Sequence, residues 1–475
     1  MLQRLATIMT RWSTRFVPDA YIIAVILTIL AWLLAFFLSP GAKPPNLPEL
    51  KGALGWDKGV TLMFYWGKGF WVLLTFAMQM CLIIVTGYIV AVSPPFRRLL
   101  NWLAGLPGSP RGSIALMAFV SMFLSFLNWG LSIVGSAVFA RYMVKKQKGV
   151  DYRLLIAAAY LGLGTTWHSG LSASAPLLVA TPGHFMEKQL GLISITQTIF
   201  HPFNLIMALI VIVFLTIYAP LLHPRKEDTI EADPSLSEEQ EFVAPAKPRD
   251  ATPGEWLEYT PWVNMIIAIL FGVAYLWQYF LTPPAKGVIT LQIALGRVNL
   301  DTVNFLFLMA GVLLHWTPAS LLKAAKEAGG FIWGVILQFP FYAGIFGIIQ
   351  YSGLQDVIAG WFVAIANANT YPAVVYWYSG ILNYFVPSGG SKWAIEAPYI
   401  VRAAADLKVS QALNVLTYAW GDMMTDIIQP FWAIPLLGVA KLNFRDIMGY
   451  CILIFVPYVV IITAALLIVP HLKLF

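Results

Sequence analysis

Apolar runs of membrane-crossing length recur along this chain, and several are cut by short polar breaks rich in glycine and proline. A run at residues 20–39 ends at Pro40 and the Pro44-Pro45 pair. Its length suits a bilayer span, which takes about 20 residues, and exceeds the apolar core of a cleavable signal peptide. Trp56, Tyr65 and Trp66 follow, in a segment that reads as an interfacial aromatic belt. Further spans are expected at about 70–92, 154–182, 203–222, 261–281, 303–315, 331–351, 411–440 and 447–469, nine crossings in all.

Two stretches depart from that rhythm in the same way. Residues 383–398 read Asn-Tyr-Phe-Val-Pro-Ser-Gly-Gly-Ser-Lys-Trp-Ala-Ile-Glu-Ala-Pro, between apolar arms at 371–382 and 393–405 that are too short to span. Two short arms joined at a Pro-Ser-Gly-Gly tip describe a re-entrant hairpin, because irregular backbone at membrane depth survives only inside protein or against a watery cavity. Asn128-Trp129-Gly130 sits likewise between arms at 113–127 and 131–144. Each tip is followed by a span with a polar interruption, residues 167–174 before Pro176 and residues 421–429 before Pro430. Asn128 and Pro176 lie 48 residues apart, and Asn383 and Pro430 lie 47 apart.

These parallels define an internal repeat. A first membrane repeat is expected at 1–222, with a hairpin at about 113–144 and a broken helix at about 154–182. A charged linker at 223–260 and a connecting transmembrane helix at 261–282 lead to a second repeat at 303–475, with a hairpin at about 371–405 and a broken helix at about 411–440. Lys and Arg crowd the N-terminus, the loop from Arg97 to Arg111, and the cluster from Arg141 to Arg153. Placing these on the cytoplasmic side puts the N-terminus inside and the C-terminus outside, and the odd span at 261–282 inverts the second repeat. The expected fold class is an all-α polytopic membrane protein of two inverted-topology repeats, each with a re-entrant hairpin and a broken transmembrane helix. That is the architecture of secondary transporters.

Composition agrees. Of 475 residues 59% are hydrophobic and 11% charged, with a mean hydropathy of +0.73, whereas a soluble domain carries roughly 25% charge. The formal net charge of +7 belongs to membrane-flanking loops and points to no nucleic-acid partner. Ten of the 23 acids fall in residues 223–260, the mark of a flexible charged linker. Cys81 and Cys451 both lie in apolar runs and read as buried thiols. No Walker loop, zinc spacing or nucleophile elbow is present, so an ATP-driven pump, a metal centre and an enzyme are all disfavoured, and no cofactor is expected beyond a coupling ion.

The chemistry is expected at the four polar breaks. Helix N-termini offer free N–H groups and partial positive charge to a carboxylate. The substrate-binding candidates are Asn128, Trp129, Gly130, Ser132, Ser169, Ser172, Asn383, Ser388, Gly389, Gly390, Ser391, Thr425 and Gln429. Intramembrane ionisable groups are functional by default, so Asp422, with His168 or Glu396, is the candidate for ion coupling. Several alternatives stay open. Ser132 and Ser136 share a helix face and also suit simple helix gluing. His168 suits a proton carrier or a structural hydrogen bond. Lys392 and Glu396, four apart, suit a mutual ion pair. Trp129, Trp167 and Trp393 suit packing as well as ligand stacking. The coupling ion is H+, with Na+ at Asn128, Asn383 and Asp422 as the rival.

Several of these motifs resemble the short-chain fatty acid transporter family. They are Gln79-Met80 with Ile84-Val85-Thr86-Gly87, Asn128-Trp129-Gly130, Asp151-Tyr152, Ala180-Thr181-Pro182-Gly183, Val386-Pro387-Ser388-Gly389-Gly390, Gln429-Pro430-Phe431-Trp432-Ala433, and Arg445-Asp446-Ile447-Met448-Gly449-Tyr450-Cys451. The likeness covers nearly the whole chain except the linker. It implies a bacterial inner-membrane symporter that imports acetoacetate, butyrate and similar monocarboxylates with protons. It also implies membership of a superfamily of ion-coupled carboxylate carriers, often homodimers with an elevator-like motion. Na+-coupled carriage of dicarboxylates or amino-acid-like substrates is the alternative, and a non-transporting membrane enzyme another. The chain departs from the family pattern at Ser391-Lys392, where a glycine and a polar residue are usual, and at Glu396, where glutamine is common. His168-Ser169 fills a stretch that is often glycine-rich, and Asp422 stands for a glutamate.

Overall fold

The computed structural model describes residues 18, 20–39, 58–233, 242–284 and 288–475, which form helices and connecting turns with no strand among them. The expected stop at Pro40 and Pro44-Pro45, the basic N-terminus and Trp56 lie outside the described residues.

The first half runs through α1 (Ala20–Leu38), α2 (Lys58–Gly69), α3 (Leu74–Val92), α4 (Pro94–Leu103), α5 (Pro110–Leu127), α6 (Trp129–Lys146), α7 (Tyr152–Thr165), α8 (Ser174–Leu178) and α9 (Pro202–Tyr218). After the linker comes α10 (Pro261–Leu281), whose middle, Ile266–Val273, is π-helical. The second half holds α11 (Leu300–Leu314), α12 (Pro318–Ala328), α13 (Trp333–Ser352), α14 (Leu354–Ile365), α15 (Tyr371–Phe385), α16 (Gly389–Asp406), α17 (Gln411–Met423), α18 (Ile434–Ala440) and α19 (Phe444–Ile468).

Local chemistry sets the breaks. Asn128 ends α5 and starts α6 in one residue, its extended backbone turning the chain while its Oδ1 accepts from the Leu131 N–H at 2.9 Å. This is an N-cap, the usual way to satisfy the open amides of a helix start. Asp151 caps α7 through the Leu154 N–H at 3.0 Å. At the second tip, Pro387 cannot donate a backbone hydrogen bond, and the chain re-enters helix only at Gly389. The second broken span bends by 67° between residues 428 and 431.

Equivalent elements make equivalent contacts in the two halves. α3 packs on α6 while α5 packs on α6 and α7; α13 packs on α16 while α15 packs on α16 and α17. The breaks then cross over. The turn at Trp167–Ser169 and α8 lie against α17, and the turn at Asp426–Ile428 lies against α7. The buried core runs through these elements, and large apolar side chains such as Phe37, Leu209, Phe271 and Val460 stay exposed on α1, α9, α10 and α19, as they must where lipid is the solvent.

Several expectations change. Among the described residues, seven helices are long and apolar enough to cross a membrane, or eight if the bent pair at 411–440 counts as one span. α11 has 15 residues and α7 has 14, short of the ~20 a full span needs, so the nine expected crossings are not all continuous helices. The span expected at 70–92 ends at Val92, and Pro94-Pro95 then begin α4, because a helix's first turn tolerates proline. Tyr65 and Trp66, expected in an interfacial belt, pack on Tyr351 and Phe341 of α13. α2 packs tightly on α13, where a Cβ on Gly69 would lie 2.5 Å from the Ala343 carbonyl oxygen, and one on Gly347 2.3 Å from that of Tyr65. Paired glycines let two backbones approach this closely, and the aromatic rings are drawn into the seam.

Candidate functional site

The second hairpin and the two breaks bring one buried ionic cluster together. Lys392 stands on the first turn of α16 and Glu396 one turn further; Tyr418 and Asp422 stand four apart on α17. Residues four apart share a helix face, so α16 and α17 each present a pair of polar groups toward the same point. The Lys392 ammonium lies 3.0 Å from Asp422 Oδ1 and 3.4 Å from Glu396 Oε1. It donates to the Ser379 carbonyl at 2.9 Å and to the Ser379 hydroxyl at 2.6 Å, and it sits 4.7 Å over the Tyr418 ring. The contact to Asp422 is a buried ion pair.

The first repeat supplies the histidine. His168 Nδ1 lies 2.7 Å from Asp422 Oδ2, and the Ala175 N–H donates to His168 Nε2 at 3.2 Å. A ring nitrogen that accepts carries no proton, so Nδ1 is the protonated one and donates to Asp422. In this conformation both ring nitrogens are engaged, and a further proton on the ring would first have to displace the Ala175 N–H. The imidazole is stacked on Trp167 at 4.2 Å.

Asp426 completes the group. Its Oδ2 accepts from Trp167 Nε1 at 2.9 Å and its Oδ1 from Asn383 Nδ2 at 2.7 Å. His168, Lys392, Glu396, Asp422 and Asp426 are all at most 2% exposed. Glu396 Oε2 and Asn383 Oδ1 are buried with no hydrogen-bond partner among the described residues. Gly389 is required here by space. A Cβ on it would fall 2.6 Å from Asp422 Oδ2 and 2.7 Å from Ser174 Oγ, so the tip of the second hairpin can touch the carboxylate only as glycine.

The other expected site residues divide by what they touch. Gly390 packs on Phe76, and Ser391 donates to Ser388 at 2.5 Å beside the cluster. Thr425 accepts from Asn383 at 3.3 Å and donates to the Gly380 carbonyl at 2.8 Å. Gln429 accepts from the Phe431 N–H at 2.9 Å, and Ser172 accepts from the Trp129 N–H at 2.9 Å. Asn128 is spent on its cap. Ser132 donates to the Ser121 carbonyl at 2.8 Å and so ties the two arms of the first hairpin together, while Ser169 donates to the Thr166 carbonyl at 2.7 Å. None of these last three hydroxyl or amide groups faces the ionic cluster through a hydrogen bond.

A cavity of about 430 Å³ runs beside α6 and is lined also by Phe242 of the linker. Trp129, Gly130 and Trp432 form its floor, with the two indoles edge to face at 5.3 Å. Trp129 also contacts Trp167 at 6.3 Å, and the Trp167 ring is the one stacked on His168. Sequence reasoning left out Trp432 and Tyr418 as site residues. The place of Trp432 just after the second break, and the four-residue spacing of Tyr418 to Asp422, were the available signals.

Comparison with known proteins is decisive at this point. The profile of the family described as "Short chain fatty acid transporter" matches residues 1–469. The chain belongs to the short-chain fatty acid transporter family. A protein of Escherichia coli (strain K12), named provisionally as a short-chain fatty acid transporter, is 37% identical over 95% of this chain and 96% of its own length. A protein of Haemophilus influenzae with the same provisional name is 34% identical over 95% of this chain and 96% of its own. Among solved structures, Neisseria gonorrhoeae MtrF, described with a class of antimetabolite efflux pumps, superposes with a TM-score of 0.58 at 14% identity, covering 100% of this chain and 97% of its own. The Alcanivorax borkumensis YdaH transporter, described as having an unusual topology, gives 0.55 at 15% identity, covering 94% and 98%. At those identities the structures speak for the fold alone. By family, the protein is a multi-pass membrane transporter and not an enzyme.

Proposed function

We propose that the protein imports short-chain monocarboxylates such as acetoacetate and butyrate by proton symport, alternating access between the two sides of the membrane. The observation that carries this reading is the charge count of the buried cluster. Three carboxyl groups, Asp422, Glu396 and Asp426, share one ammonium, Lys392, and a histidine whose second ring nitrogen is already an acceptor. Burying unpaired charge is costly, so a cluster with more acids than bases has room for protons. Its position where the second hairpin meets both breaks supports coupling, since proton occupancy there would bear on how the halves meet. The family supplies the substrate class. Asp422 is the central coupling group because it touches the first repeat through His168 and the second through Lys392.

The test is uptake of labelled acetoacetate and butyrate into proteoliposomes, with passive permeation measured in protein-free vesicles and subtracted. An inward proton gradient should drive accumulation, and Asp422→Asn should abolish the driven component. Accumulation driven by a Na+ gradient alone would overturn proton coupling, and transport of neither acid under either gradient would overturn the substrate class.

A further inference from the structure

Between Ser93 and Val150 the chain holds seven Lys and Arg and not one Asp or Glu. The seven fall on α4, at the start of α5 or towards the end of α6, and the apolar middles of α5 and α6 hold none. α3 and α5 are each long and apolar enough to cross a membrane, so the 10 residues of α4 between them lie where one span ends and the next begins. Those ends meet in one corner. The Gln147 amide donates to the Ala104 carbonyl at 2.9 Å, and Lys146 donates to the Asn101 carbonyl. A Cβ on Gly149 would lie 3.5 Å from the Pro110 ring. The exit of α6 is thus held against the end of α4 and the start of α5.

α4 turns one apolar face inward and another outward. Leu100 and Ala104 are buried, whereas Leu99, Trp102 and, just past the helix end, Leu106 are 46%, 61% and 54% exposed. Spaced three and four apart, these three form one outer stripe. Arg98 is exposed beside them, and so are Arg111 and Lys148. None of these three cations makes an ion pair or a hydrogen bond among the described residues. A stripe of Leu and Trp is costly in water, and the cations are costly in hydrocarbon. The layer between suits both. Amphipathic helices lie there with the apolar face at the acyl boundary and Lys or Arg among the headgroups, and tryptophan is enriched at that depth. A cationic corner without acids also selects by sign, because it attracts anionic headgroups over zwitterionic ones.

We propose that α4 lies in the headgroup layer of the membrane, and that Arg98, Arg111 and Lys148 bind the headgroup of an anionic phospholipid whose acyl chains run along Leu99, Trp102 and Leu106. This lipid site is separate from the buried cluster and independent of the substrate and the coupling ion.

The experiment is native mass spectrometry of the purified full chain, titrated with phosphatidylglycerol and, separately, with phosphatidylcholine of the same acyl chains. Wild type should bind phosphatidylglycerol more tightly, and the Kd of the first bound phosphatidylglycerol should rise about fivefold for each cation removed by Arg98→Gln, Arg111→Gln and Lys148→Gln. Lys68→Gln with Lys188→Gln, two exposed cations near the opposite end of α3, should leave that Kd unchanged. Equal affinity of wild type for the two lipids, or a preference unchanged when Arg98, Arg111 and Lys148 are all replaced, would overturn the site. Depth is read separately by spin labels on Leu99→Cys and Trp102→Cys in vesicles containing both lipids, with wild type as the blank because Cys81 and Cys451 are buried. Both labels should be relaxed more by oxygen dissolved in the lipid than by a water-soluble nickel chelate. The reverse order would place α4 in water, and labels reached by neither would mean that a second copy of the chain covers this face. Either result would overturn the proposal.

Discussion

Lys392 is the residue on which the cluster depends. It is a fully buried ammonium whose neighbours are Asp422, Glu396, Ser379 and the Tyr418 face. Removing one member of a buried ionic group leaves its partners uncompensated, typically at about 3–5 kcal/mol. Lys392→Met is therefore expected to destabilise the protein by about that amount, and adding Glu396→Gln should recover part of the loss, read by thermal unfolding of the purified protein. Equal stability of Lys392→Met and wild type would mean that the ammonium is not the counter-ion described here. Ser132 is the contrasting case. Its hydroxyl serves the Ser121 carbonyl inside the first hairpin, so Ser132→Ala should cost about 1 kcal/mol and leave the apparent affinity for acetoacetate unchanged. A large rise in KM with no change in stability would return Ser132 to the substrate site.

At the scale of elements, the chain reversals and breaks were legible because their residues violate what an uninterrupted span requires, although α5, expected as a short hairpin arm, has 18 residues and is long and apolar enough to cross a membrane. Asn128-Trp129-Gly130 and Pro387-Ser388-Gly389-Gly390 cannot pass as lipid-facing helix, and the structure turns the chain at both. Asp422 stood out as an acid in an apolar run, and Lys392 and Glu396 by their spacing. What stayed hidden were contacts between segments remote in sequence. Nothing local pairs His168 with Asp422, 254 residues away, or seats Lys392 on an acid of another helix. α4 and α14 were missed for different reasons: Pro94-Pro95 resembles a stop while serving as a start, and 12 residues of α14 make too short an apolar run to register as a span. The seam of α2 and α13 depends on Gly69 and Gly347, and either glycine alone looks like a loop residue. Gly347→Ala should cost about 1–3 kcal/mol through overpacking, measurable as a lower midpoint of thermal unfolding. An unchanged midpoint would show that the two backbones lie further apart than described.

For the whole molecule, the notable relation is the exchange between halves. The first break packs on α17 and the second on α7, so Asp422 answers to His168 of the first repeat and Tyr160 of the first repeat donates to the Asp426 carbonyl at 2.9 Å. Any motion of one half against the other has to rearrange this shared cluster. A change of its proton count is a direct way to bias that motion, since a ligand shifts an equilibrium only through unequal binding to its states. The linker bears on the same boundary from outside, bound by Arg97 of one half and Lys323 of the other. The most direct measurement of the central claim follows the proton itself. Proteoliposomes carrying a trapped pH indicator, with no gradient imposed, are given acetoacetate, and lumen pH is compared with that of protein-free vesicles. The account predicts faster acidification with wild-type protein, reduced to the protein-free rate in Asp422→Asn. Accumulation of labelled acetoacetate with no acidification beyond the protein-free rate would contradict it.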